Sequence, residues 1–241
     1  MKFTSKEIEE LRSILAVCKV IEVQGLVIYE GMARGAKPSM DSAIISSHTL
    51  PISPELKLGI GNVAELEKRL SIFPEATLEG KVREGTEDVG LLTIVQGKTK
   101  MQFRGTSVSM IRYPKENIDP PAATILLSKA EVSQISAAVK ALKSTHVVLQ
   151  LTNKNSARIE SVDANNDKFE IELSEDVKYE GDETSFVFNY IAGMFINVLD
   201  NVSRETETVS LTVGEAGSIT AKLKGHTIMI MAQITGEEDD F

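Results

Sequence analysis

One amphipathic helix pattern is written twice in this chain, and that repetition limits the possible folds more than any other feature. Ile8, Leu11, Leu15 and Cys18 are spaced three, four and three residues apart, the apolar stripe of a helix. Val132, Ile135, Val139 and Leu142 repeat the spacing at one constant offset, about half the chain later, and Lys19 then falls on Lys143. Both helices open on a capping-box pattern, Thr4-x-x-Glu7 and Ser128-x-x-Glu131, in which side chain and backbone satisfy each other's free donors.

The segments after each helix follow the same order. In the second half "HVVLQLT", "KFEIELS" and "SFVFNY" alternate apolar and polar residues, as half-buried strands do. A weaker helix is expected at 191–202, followed by strands "VSLTV", "SITAKLKG" and "TIMIMAQI". In the first half strands are expected at 20–23, 26–30 and 43–48, then "LKLGIG" and a helix over 63–72 with the stripe Val63, Leu66, Leu70 and Phe73. Strands at 76–82, 90–95 and 98–103 follow, and "SVSMIRYP" is expected to be the last strand of this half. "YPKENIDPP" separates the halves, because its prolines oppose helix and sheet pairing. The reading is an α+β chain with domains at 1–113 and 122–241 and a linker at 114–121.

The bulk numbers narrow the function. At 241 residues, 42% hydrophobic and 25% charged, the chain can hold two ordinary globular domains. No apolar run is long enough to span a membrane, and no signal peptide is expected from the first residues. The single cysteine, Cys18, excludes an internal disulfide, fits a reducing cytoplasm, and belongs to the core stripe. His48, His146 and His226 with Cys18 make no zinc-ligand spacing, so no metal and no cofactor is expected. Phosphate-binding glycine loops and nucleophile elbows are absent. Asp41, Glu75 and Asp163 are the carboxylates a catalytic reading would have to use, and the sequence gives no pairing for them.

The net charge of -9 disfavours a protein coated in positive charge but permits a local basic face. Lys129, Lys140 and Lys143 share one helix flank with Ser133 and Ser136; Arg12 and Lys19 share the equivalent flank of the first helix. Lys68 and Arg69 lie off the stripe of the second, and the fourth offers Asn197, Asn201 and Arg204. Two readings stand side by side. Cations late in a helix complement its dipole. Cations on several helices can also line one surface and meet phosphates without reading sequence.

With these residues in view, the chain resembles a sliding clamp, the processivity factor of a replicative DNA polymerase. It is most similar to the bacteriophage type and more distantly to proliferating-cell nuclear antigen. The resemblance covers the whole chain. It rests on the two-half repeat, the Lys/Ser-bearing helix after the proline linker, the final strand "HTIMIMAQI" with its short acidic tail, and a short match at "SMDS".

The resemblance implies two similar clamp-type domains, antiparallel sheets outside and helices on the inner face. Three chains would close head to tail as a homotrimeric ring around duplex DNA, bound without regard to sequence. A replicative polymerase and an ATP-dependent clamp loader would be partners, in the cytoplasm of an infected bacterial host. Arg12, Lys19, Lys68, Arg69, Lys129, Lys140 and Lys143 would face DNA. Ile111, in a strand over 107–113, would meet Phe169 and Ile171 of a neighbour. Met40, Ile44, Ile118, Pro120, Ile230, Ala232 and Ile234 would wall a groove for partner peptides. The competing expectations are a protein-interaction module without a DNA role, and an α+β enzyme with scattered site residues.

Overall fold

The computed structural model describes residues 2–39, 41–46, 50, 57–114, 119–152, 156–173, 177–179 and 185–233. The chain splits into two compact units, Met1–Glu116 with Lys224–Ile228, and Asn117–Leu223 with Met229–Phe241.

In the first unit α1 (Ser5–Val20) precedes β1 (Gly25–Tyr29), β2 (Met32–Ala36), β3 (Ser42–Ser46) and β4 (Leu58–Ile60). Then come α2 (Val63–Ile72), β5 (Thr77–Val82), β6 (Val89–Gln96) and β7 (Thr99–Arg104). The strands form antiparallel ladders in the orders β3-β2-β1-β4 and β5-β6-β7. Thr4 caps α1 in a complete capping box with Glu7, and Leu11, Leu15 and Cys18 are fully buried beneath it. The β1–β2 hairpin turns on Glu30 and Gly31, whose φ values of 54° and 71° match the right-handed twist of the flanking strands.

In the second unit β8 (Pro121–Ser128) leads into α3 (Lys129–Leu142), then β9 (His146–Thr152), β10 (Ser156–Val162), β11 (Lys168–Leu173) and β12 (Val177–Tyr179). β13 (Phe186–Ile191), α4 (Ala192–Val202), β14 (Thr208–Gly214) and β15 (Ser218–Leu223) follow. β16 (His226–Met231) is divided between the units. The strands again make two antiparallel sets, β12-β8-β14-β15 and β11-β10-β9-β13. Ser128 and Glu131 form the second capping box. Asp119 ties the start of the unit to the β14–β15 turn by accepting from Ala216 N at 2.8 Å and Ser218 N at 2.9 Å. Gly214 permits this approach, since a Cβ there would stand 2.0 Å from Asp119 Oδ2.

Three expectations change. The apolar run at 20–23 is not a strand: α1 continues to Val20, Ile21 caps it and Glu22 turns left-handed. Ile21 and Val23 are apolar because the turn itself is buried. Residues 107–113 form no strand either; Val108–Met110 is a single 3-10 turn. Asp88 holds it, accepting from the Ser107 hydroxyl at 2.8 Å and Val108 N at 3.4 Å. Finally, Pro121 lies inside a strand, because a proline at the first position removes no donor that the ladder needs.

Candidate nucleic-acid interface

α1 packs on α2, and α3 packs on α4. The cations expected to face DNA lie on these helices, but the structure gives them three different jobs.

Arg12 and Arg69 hold the fold. The Arg12 guanidinium donates to Leu70 O at 2.8 Å and Phe73 O at 2.7 Å, satisfying carbonyls at the C-terminus of α2. Arg69 pairs with Glu65, donates to Gln102 O on β7 and lies 5.5 Å from the Phe103 ring centroid. Neither guanidinium is presented freely to a ligand.

Lys129 and Lys140 are paired with carboxylates. Lys129 Nζ lies 2.6 Å from Glu207 Oε1, and Lys140 Nζ 2.7 Å from Asp200 Oδ2. Ser136, buried, donates to the other Asp200 oxygen at 2.6 Å.

Lys19, Lys68 and Lys143 are the most available. Lys19 reaches Glu67 only loosely, at 3.8 Å with its own side chain 69% exposed. Lys68 is exposed on α2, and Lys143 is exposed in a left-handed C-cap conformation.

α4 carries no cation, and it is buried on most of its circumference. Met194, Phe195, Ile196, Val198, Leu199 and Val202 all face core. Gly193, Asn197 and Arg204 are exposed, and Asn197 and Asn201 are linked along the helix by a hydrogen bond. Sequence reasoning missed Asp200, although it is the one charged residue of this helix.

The strand edges bear on assembly. Lys2 bridges Glu79 on β5, and Gln233 bridges Asn189 on β13, each covering one position of one edge of a smaller sheet. At the opposite edges, β7 pairs only with β6 and β11 only with β10 among the described strands. Phe169 and Ile171 are half-buried on β11. Beside them Arg158 meets Glu160, Glu170 and Glu172 at 3.1, 3.4 and 3.2 Å, and Lys168 meets Glu160 and Glu170 at 3.1 and 2.6 Å. Burial alone would raise the Glu160 carboxyl; hydrogen bonds from Arg158 and Lys168 outweigh it and hold the group below the usual glutamate value. Ile111 serves its own chain, because it fills the space over two glycines. A Cβ on Gly25 would meet its Cγ2 at 3.0 Å, and one on Gly59 its Cδ1 at 3.2 Å.

The expected peptide groove is only partly described. Met40, Ile118 and Ile234 lie outside the described residues. Ile44 and Ile230 are core, 0% and 2% exposed, and offer a peptide no surface. Pro120 is exposed and Ala232 half-buried in the second unit.

The carboxylates weighed for catalysis have structural work. Asp41 pairs with Lys37 at 3.4 Å, and Asp163 accepts from Asn165 N and Asp167 N to form the turn before β11. Glu75 is exposed. Lys37 also meets Glu22 at 3.0 Å, and that hydrogen bond outweighs burial and raises its pKa. Burial pushes the Cys18 thiol well up, so it is a core group without nucleophilic character. Among the described residues no group of three or more His, Cys, Asp or Glu is placed to hold a metal ion. No helix there is long and apolar enough to cross a membrane.

No family model matches the sequence, and no curated protein matches it. Solved structures do. The chain superposes on the H. pylori beta clamp in complex with 5-chloroisatin with a TM-score of 0.70 at 12% identity, covering 100% of this chain and 65% of that one. With DNA polymerase III subunit beta from Pseudomonas aeruginosa the TM-score is 0.68 at 13% identity, covering 97% of this chain and 66% of the other. This chain therefore spans about two thirds of the length of these neighbours. The duplicated α+β architecture, with its paired helices and antiparallel sheets, is the sliding-clamp fold.

Proposed function

We propose that this protein is a DNA sliding clamp. It closes head to tail as a homotrimeric ring around duplex DNA, holds a replicative polymerase for processive synthesis, and is opened by an ATP-dependent loader. It performs no catalysis itself. The setting is the cytoplasm of a phage-infected bacterium. The observation that carries this reading is the match of the whole chain to the clamp fold.

The free edges support the way the ring closes. β7 and β11 are each six residues long, and unpaired edges of that length invite pairing with another chain. Pairing β7 of one copy with β11 of the next is a heterologous contact that closes into a ring. The first-domain edge is thus β7 rather than 107–113, while Phe169 and Ile171 keep their proposed place on β11.

For DNA, exposed Lys19, Lys68 and Lys143 supply contacts that read charge alone. For partner peptides, exposed Pro120 and half-buried Ala232 supply a surface in the second unit, with Ile230 in that unit's core.

Native mass and a processivity assay test the proposal. A trimer at micromolar concentration, together with longer products from its polymerase on primed circular templates, is the expected result. A monomer that leaves product length unchanged after loading would overturn it.

A further inference from the structure

In the second unit a groove of about 560 Å³ runs between α3 and α4, lined by Lys129, Ser133, Ser136, Lys140, Ser203 and Arg204, with Asp200 among them. Apolar Val132 and Ala137 also line it, so the surface pairs an apolar floor with cations and hydroxyls that suit a phosphate, yet a carboxylate already stands among them. Asp200 Oδ1 accepts from buried Ser136, and Oδ2 holds Lys140 Nζ at 2.7 Å. The Asp200 side chain is 26% exposed and that of Lys140 is 62% exposed. The carboxylate is therefore the anchored half of the pair and the ammonium the movable half. Glu207 also pairs with Lys129, at 2.6 Å, but there the carboxylate is the more exposed partner, 88% against 44%.

We propose that Asp200 is a built-in competitor of DNA phosphate. Building on the clamp reading, it occupies the phosphate position of the α3–α4 groove and keeps Lys140 partly withheld from the duplex. Glu207, exposed and outside the groove lining, is a looser counterpart for Lys129. A carboxylate and a phosphate offer a lysine the same kind of acceptor, and one ammonium cannot neutralise both. Exposed ion pairs are weak, so phosphate can draw Lys140 away. Each such exchange leaves the Asp200 charge bare beside the DNA, which cancels most of the gain. A ring retained by topology needs this kind of contact: weak, quickly exchanged and blind to sequence.

Asp200→Asn removes the charge but keeps an oxygen acceptor for Ser136. Duplex binding is followed by fluorescence anisotropy over a salt series for wild type, D200N and the double variant D200N/K140A. Lys140 reactivity toward acetic anhydride is read by mass spectrometry without DNA. D200N is expected to bind roughly two- to fivefold more tightly per site. Its log–log salt dependence should steepen by about 0.9 for each additional phosphate neutralised. K140A should abolish the gain, and Lys140 of D200N should acetylate faster than in wild type. Glu207→Gln, at a side chain 88% exposed, provides the same test on Lys129 without risk to the fold.

A wild type that binds in a salt-dependent way, with D200N and E207Q indistinguishable from it, overturns the competitor and leaves the clamp standing. A gain that survives K140A overturns it too, as a general charge effect. Failure of wild type and both variants to bind duplex even at low salt would remove the DNA reading and this inference together.

Discussion

At the scale of single residues, an exposed-looking cation in the sequence turns out to be one of three things. Arg12 shows the first. It lies on the flank that a helical wheel assigns to solvent, but a neighbouring helix ends beneath it, and its guanidinium takes up two carbonyls of that end. Arg12→Ala leaves Leu70 O and Phe73 O without this donor. Hydrogen bonds involving a charged group contribute about 1.5–3 kcal/mol each, so the variant should lose about 2 kcal/mol of stability after partial compensation by water. Urea denaturation reads that loss, and duplex affinity should be unchanged. A drop in affinity without a drop in stability would return Arg12 to the DNA-facing set. Lys140 shows the second outcome, a cation held by an acid from another helix. Lys143 shows the third, a cation left exposed where the chain leaves its helix.

At the scale of elements, what matters is which strand edges stay open. Residue Gln102 presents its carbonyl away from β6, where the Arg69 guanidinium takes it, so its N–H also faces the open side. Gln102→Pro therefore removes a donor from the free edge while sparing the β6 ladder. Ile171→Asp places a charge among the half-buried residues of β11. Each variant is expected to convert trimers to folded monomers, with circular dichroism unchanged and mass reduced in light scattering. Trimers that persist in both would exclude this pair of edges. α4 teaches a second lesson at this scale. It has no cation of its own, and most of its surface is core.

At the scale of the whole molecule, a chain of net charge -9 is proposed to encircle a polyanion. The charge and the proposal agree if the free cations are few and gathered on the helices. Reversing Lys68 and Lys143 to Glu should lower the salt slope of duplex binding by roughly 0.9 for each phosphate no longer neutralised, and shorten processive products. Native mass should stay that of a trimer, since neither lysine lies on β7 or β11. An unchanged slope would mean that the available lysines do not face DNA.

By itself the sequence determined the duplication, the two capping boxes, and the core stripes of α1 and α3, because helical periodicity and end chemistry are local and survive any packing. It determined most strands in the same way, wherever apolar and polar residues alternate. It misread 20–23 because a short apolar run looks the same in a strand and in a buried turn, and 107–113, none of it buried, because its 3-10 turn is held by Asp88, 19 residues before Ser107. β2, with glycine inside it, and β8, apolar on both faces, passed unnoticed because they lack alternation. Only the tertiary structure decided what each cation does, since that depends on which carbonyl or carboxylate a distant segment brings within about 3 Å. Arg12 lies 58 residues from Leu70, and Lys140 lies 60 residues from Asp200. No periodicity along the chain encodes such a meeting. Packing alone brings those groups together, and in doing so it divides cations that hold the fold from cations left exposed.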